Sequence, residues 1–436
     1  MKVRPWIVAL FLATPLAVPS AQELVDSITV AYEMDGLQVL HHRKDSRLFA
    51  VHLYLLGGSR QVTEATAGVE PLILLSSDYG TADYPGDAAR RVRAQLGSSL
   101  WYEANRDWTL FAASGLREDF DSTWALFTSR LLRPTLDTAA IAPARLRLLS
   151  AARRQGGSPE AQAFALAESL AFAGHPYAVN PAGNATSLAA LTPEQMRSYA
   201  REQFVKSRML LVVVGDVPRE HVDSLITRSL GTLPRGSYTW SLPAPISPSG
   251  AAVVGAYRRS TTTYVYGYMH GPLVSSPDYP AFQYAMGILS GLVSSRIREQ
   301  QGLSYAAGVG LVERGVTGAV FNVSTTRPDS VIKLFNRLLG DYEDQLRIPT
   351  HLLKESADGF RANYLFGMEG SSSHAEMLAR AQLYDGDYRA AARRAEVMKQ
   401  VRSPDLRRMV RTYGKNIQYA FVGDTSRIPE AEIKKR

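Results

Sequence analysis

Two stretches of this chain close in the same way. "MLLVVVGDV" (209–217) and "IQYAFVGD" (417–424) are both runs of apolar, strand-forming residues that stop at Gly-Asp. A short apolar run bounded by turn residues reads as a buried strand. Because each run ends a similarly ordered segment, the pair marks an internal repeat. The first half spans 26–233. It opens with strands "LQVLHHR" and "FAVHLYLLGG", passes helical segments near 64–79 and 86–95, and turns through a hairpin at Arg106-Asp107. Helical patterns follow at 117–131, 139–155, 158–172 and 192–204. The second half spans 251–430 and repeats that order. Strands near 251–256 and in "TTTYVYGYMHG" precede a helix from Tyr279 to about Glu299. A hairpin "LSYAAGVGLVER"/"GAVFNVSTT" comes next, then helical segments at 328–345, 350–366, 371–399 and 404–413. Between the halves, 234–250 is rich in Pro and Ser and reads as an exposed linker. The expectation is an α+β fold of two homologous layered domains, each a mostly antiparallel sheet packed against helices.

The length of 436 residues gives both halves room for a sizeable core. The absence of cysteine excludes disulfides, thiolate zinc sites and a Cys nucleophile. The formal charge of +8 is spread over helical segments and interleaved with acids, without the basic-aromatic runs of a nucleic-acid binder. At the N-terminus, Lys2 and Arg4 precede an apolar run from Trp6 to Val18, and Val18-Pro19-Ser20 supplies small residues. This reads as a secretory signal over 1–20 rather than a membrane anchor, since the run falls short of the ~20 residues that span a bilayer. The mature protein is then expected to be exported, to the periplasm or outside the cell.

"AGVEPLILLSSDYGT" (67–81) follows a strand and a Gly58-Ser59-Arg60 turn. Further on stand "AGHPYAVN" (173–180) and "SSRIREQQGLSY" (294–305). In this order and spacing the chain resembles the insulinase/pitrilysin-like family of inverted-zincin metallopeptidases, in its two-domain bacterial, processing-peptidase-like form. The resemblance covers nearly the whole mature sequence and implies a clamshell arrangement. In active members a helix carries His-x-x-Glu-His between the Ala-Gly and Gly-Thr pairs. Here the first His falls on Pro71, the Glu on Leu74 and the second His on Leu75. The third ligand, a Glu on a later helix, falls near Ala151. Two imidazoles one helical turn apart hold zinc from one side, and the carboxylate takes a proton from zinc-bound water. Hydrocarbon does neither, so no catalytic residue and no metal ligand is expected in this chain. Pro71 to Leu75 read as a plain buried helix.

The resemblance also implies a substrate-binding Arg and Tyr from the second domain, matched here by Arg298 and Tyr305, with Arg296 as a second candidate for the arginine. Such a pair could hold a peptide carbonyl or a developing oxyanion. The bland reading makes Arg298 a surface ion-pair residue and Tyr305 a packed strand residue. In "LWYEANRDWTLFAAS" (100–114), Trp101, Tyr102 and Trp108 would either flank a peptide-binding strand edge or pack the sheet. His41 and His42 are adjacent in a strand and face opposite sides. His175 belongs to the family's Gly-His-Pro-Tyr turn, and His52, His221, His270, His351 and His374 stand alone. What the resemblance implies is a non-catalytic subunit of an exported two-chain zinc peptidase. The zinc would lie in a paralogous partner, forming a heterodimer that acts on peptides or unfolded segments. The alternative is a structural or peptide-binding protein with no part in catalysis.

Overall fold

The computed structural model describes residues 28–436, so the expected signal segment lies outside the described residues. The first sheet contains β1 (Thr29–Met34), β2 (Leu37–Arg43), β3 (Leu48–Leu56), β4 (Ser99–Ala104), β5 (Trp108–Leu116) and β6 (Met209–Gly215), in the order β1-β2-β6-β3-β5-β4. The second contains β7 (Ala252–Tyr257), β8 (Thr263–Leu273), β9 (Ala307–Val312), β10 (Val316–Thr325) and β11 (Gln418–Gly423), in the order β7-β11-β8-β10-β9. With β1 removed, the two orders coincide. In both sheets the closing strand pairs parallel to the opening one, β6 with β2 and β11 with β7, and the other pairings are antiparallel. The Gly-Asp that ends each closing strand also repeats in detail. Gly215 and Gly423 sit at φ +154° and +151°, where a Cβ would lie 2.9 Å from Phe49 Cβ or from Thr263 Cα. No L side chain fits either place.

The helices repeat as well. The first half carries α1 (Val69–Ser76), α2 (Ala88–Gln95), α3 (Phe120–Leu132), α4 (Thr138–Gly157), α5 (Pro159–Ala171), α6 (Ala185–Ala190), α7 (Pro193–Gln203) and α8 (Arg219–Arg228). The second carries α9 (Tyr279–Val293), α10 (Pro328–Gln345), α11 (Thr350–Glu369), α12 (Ser371–Asp385), α13 (Ala390–Met398), α14 (Ser403–Tyr413) and α15 (Glu430–Ile433). Strand alternation divides each sheet's side chains between two faces. Phe49, Val51, Leu53 and Leu55 of β3 join a core with the first half's own helices. Ala50, Tyr54 and Leu56 join a second core, which runs on into the other half. The reason is an exchange of helices: α12 lies on β3 and β6 of the first sheet, and α5 lies on β8 and β11 of the second. Each sheet is thus buried on both faces, one covered by a helix from the opposite half.

Two hairpin turns meet where the halves join. Asp107, fully buried at the β4–β5 turn, accepts from the Gly315 N–H (2.8 Å) at the β9–β10 turn, from Tyr384 Oη (2.9 Å) and from Tyr177 Oη. Glu168 of α5 holds Arg106 of the first turn (3.1 Å) and Arg314 of the second. A carboxylate is tolerated at such depth because several donors replace its water.

Three expectations change. The helix expected over 371–399 is two helices, because Gly386 adopts φ +74° and ends α12. The helix expected over 64–79 contracts to α1, which begins only after Gly68. The linker is irregular but not loose: Tyr238, Trp240 and Leu242 pack against the shared core. Trp240 Nε1 donates to Leu383 O (2.7 Å), and the Arg60 guanidinium lies 4.9 Å from the Trp240 ring centroid. Its aromatic and aliphatic residues, outnumbered by Pro and Ser, set its path.

Candidate functional site

The turn, helix and later segment that the resemblance aligns with the family's metal site are all present. The Ser59 N–H donates to Arg106 O (3.0 Å) and its Oγ to Val179 O (2.8 Å), tying the turn before α1 to the β4–β5 hairpin and to the segment after His175. His175 is structural: its Nδ1 accepts from the Tyr177 N–H (3.1 Å), and its Nε2 lies 3.2 Å from Ala244 O. All eight residues of α1 are buried. Leu74 is 0% exposed and Leu75 4%, both inside the apolar core of the first half with Ile73. Ala151 lies on α4, which runs along α1, but is exposed. The four positions Pro71, Leu74, Leu75 and Ala151 therefore offer no donor atom and share no cavity. Zinc does not fit here. Among the described residues no group of three or more His, Asp or Glu side chains is placed to hold a metal ion.

Charge in this region serves structure. Glu70, the one carboxylate on α1, accepts from Arg208 Nη2 (2.6 Å) and Tyr199 Oη (2.8 Å), while Arg208 Nε donates to Leu56 O (2.6 Å). At the other end of α1, Arg130 donates to Leu74 O and Ser77 Oγ (both 3.1 Å) and pairs with Asp78 at 3.2 Å. Burial lowers the Arg130 guanidinium to about 10, which leaves it charged at neutral pH. A cation at a helix C-terminus is favourable. Neither network was visible in the motif spacing, because Arg130 and Arg208 come from distant segments.

The second-half motif has a different setting. Beyond Val293 the helix widens into a π-helical turn, Ser294–Gln300, anchored by the fully buried Ile297. The Leu303 N–H returns to Ile297 O (2.9 Å), and Thr325 Oγ1 donates to Leu303 O (2.7 Å). This loop places the Arg298 guanidinium 4.9 Å from the centroid of the Tyr305 ring, which is 83% exposed. Tyr305 lies before β9 rather than in a strand. Arg296 turns to Gln300 Oε1 (3.1 Å), so Arg298 is the arginine that stands with Tyr305. Donors on the guanidinium and the phenol face solvent, and π-helical turns are frequent at functional sites.

The aromatics of the β4–β5 hairpin mostly pack. Trp108 is 3% exposed, edge-on to Tyr54 at 5.5 Å, and Trp101 packs edge-on to His52 at 5.7 Å. Tyr102 leans on the first-half core. β4 is nonetheless a sheet edge, as β9 is in the other half. Ends of both strands line a cleft of about 490 Å³ between the halves, with Arg106, Glu168 and Arg314 in its wall.

Residues 190–355 match the family model for the peptidase M16 inactive domain. The chain is similar to M16 peptidases over that region. It is 23% identical over 304 residues to human cytochrome b-c1 complex subunit 1, covering 69% of this chain and 62% of that protein, so it spans less than two thirds of that relative. It is 25% identical over 377 residues to an uncharacterized zinc protease of Mycobacterium leprae, covering 81% and 82%. Among solved structures, an M16 inactive-domain protein from Pseudomonas fluorescens superposes with a TM-score of 0.80 at 18% identity, over 91% of this chain and 98% of that one. The periplasmic protease PqqL from Escherichia coli gives 0.74 at 13%, over 94% of this chain and 50% of that one. At such identities the structural likeness speaks for the fold alone. Among the described residues no helix is long and apolar enough to cross a membrane.

Proposed function

We propose that this protein is the non-catalytic chain of an exported two-chain zinc peptidase. A zinc-bearing paralogue supplies the metal chemistry, and this chain supplies Arg298 and Tyr305 to peptides or unfolded segments held between the two. The observation that carries the reading is the contrast between the sites. α1 is sealed with hydrocarbon, whereas Arg298 and Tyr305 are paired, exposed and otherwise uncommitted. The Arg298 donors would hold a peptide carbonyl while the Tyr305 hydroxyl donates beside it. Likeness in fold to a periplasmic protease supports the exported setting. The test is reconstitution with the relative from the same host that carries His-x-x-Glu-His. The isolated chain is expected to cleave nothing, the mixture to cleave a quenched peptide, and Arg298→Ala or Tyr305→Phe to lower the mixture's kcat/KM by about tenfold or more. Full turnover in both variants removes the pair from the mechanism.

A second reading follows from the human relative, whose name places it in the cytochrome b-c1 complex. On that reading the chain is a scaffold in a larger assembly. Recovery of an unrelated complex from the native host, without a zinc-bearing relative, would favour it.

A further inference from the structure

The seam between the first sheet and α12 gathers three histidines that the sequence shows as unconnected. His42 of β2, His52 of β3 and His374 of α12 are 3%, 2% and 2% exposed. The rings of His42 and His374 meet edge-on across the seam with centroids 4.2 Å apart. His52 Nε2 lies 2.9 Å from Ser372 Oγ on the same helix, and its Nδ1 lies 3.3 Å from Tyr54 Oη. His42 Nδ1 is 2.7 Å from Thr29 Oγ1, whereas neither ring nitrogen of His374 has a hydrogen-bond partner among the described residues.

A neutral imidazole tolerates such a place, but an imidazolium brings two donors and a charge that need water or an acid. The surroundings offer neither. Lys44 Nζ, which acts on both His42 and His374, is held by Met368 O (2.7 Å) and Glu369 O at the end of α11. β6 contributes Val212 and Val214 to this face, and His41 points to the opposite side, at Val217 O. The N-terminal turn of α12 adds the positive end of a helix dipole. The acids in the neighbourhood are engaged elsewhere. Glu369 is exposed beside Lys44, Glu376 is exposed and 3.8 Å from Arg380, and Glu376 and Glu103 both act on Tyr54. Arg389 stacks on Tyr388, whose hydroxyl donates to Thr29 O.

We propose that His42, His52 and His374 make the docking of α12 on the first sheet an acid-sensitive latch. It stays closed while the imidazoles are neutral. Proton uptake opens it, uncovering the sheet face formed by Leu40, Ala50, Tyr54, Val212 and Val214. The latch does not depend on the reading of Arg298 and Tyr305. Burial holds His42 and His52 at about 4 and His374 at about 3, below the solvated value of 6.5. For a base with a lowered value in the closed form, the open form takes up protons first. The latch is therefore fully stable above about pH 6.5 and weakens as the pH falls toward 4, by up to about tenfold per unit for each histidine.

Hydrogen exchange of the full chain, corrected for intrinsic rates, tests this between about pH 7.5 and 4.5. Peptides covering 371–385 and 48–56 should lose protection on acidification before those covering α3. The double variant His42→Gln/His374→Gln, whose amides cannot charge, should open at a lower pH. His221→Gln, at an exposed residue paired with Asp121, should open at the wild-type pH. Retained protection of 371–385 at about pH 4.5, or a double variant that opens where the wild type does, overturns the proposal. Should the double variant not fold, imidazole C2–H exchange in the wild type decides: values near 6.5 for His42 and His374 overturn it, and values well below support it.

Discussion

At the scale of single residues, Glu70 and Arg208 show what anchors α1. They form a pair 3% and 1% exposed by side chain, with Tyr199 completing the carboxylate's donors. Removing one member of a buried pair leaves the other charged and unsolvated, which costs about 3–5 kcal/mol. Arg208→Met should therefore lower the unfolding free energy by about that amount in urea titration. Glu70→Gln in the same background should recover part of the loss. A loss no larger than that of an exposed Arg→Met control, such as Arg153→Met, would mean that the pair is not what holds α1 to β3. The apolar positions Pro71, Leu74 and Leu75 were legible in the sequence because motif spacing fixes a register. Glu70 lies in the same stretch, but its role is not local: it lies in Arg208, which only the closing strand's approach brings to it.

At the scale of elements, α1 and the loop after α9 should respond differently to substitution. Restoring the motif with Pro71→His, Leu74→Glu and Leu75→His places three polar groups where the core has no partner for them. The fourth position, Ala151, faces solvent. The triple variant should melt well below the wild type and bind no stoichiometric zinc by elemental analysis. Tight zinc with a retained melting temperature would show that the frame still converges on a site. Arg298→Ala and Tyr305→Phe act on exposed groups and should leave the melting temperature in place, so that any effect on a mixed peptidase is functional. Most elements were legible because their apolar runs are bounded by turn residues, as in β3 and β6. By sequence Tyr305 reads as a strand residue, because "LSYAAGVGLVER" has strand chemistry throughout. The π-helical turn pulls Leu303 back to Ile297, and the strand begins only at Ala307.

At the scale of the whole molecule, the repeat could be read from Gly-Asp closing strands, but the exchange of helices could not. Both helices are tied to the meeting of the two hairpin turns: Glu168 of α5 holds Arg106 and Arg314, and Tyr384 of α12 donates to Asp107. Two halves joined by a linker and two halves that complete each other's cores make different predictions about folding. Expressed alone, residues 26–233 lack α12 and would leave Leu40, Ala50, Tyr54, Trp108, Val212 and Val214 open to water. Residues 251–430 alone lack α5, uncovering Tyr268, Val320 and Ala420. Each fragment should therefore bind a hydrophobic dye and lack cooperative melting, whereas the intact chain should unfold in one calorimetric transition near neutral pH. Co-refolding the two fragments should restore a one-to-one complex, because the missing face of each is a helix on the other. Two separate transitions in the intact chain, or a cooperatively folded single fragment, would show that the exchanged helices decorate the sheets and do not unite them. The acid latch tests the same seam by another route: opening that begins at α12 while α3 stays protected requires α12 to be the point at which one half holds the other.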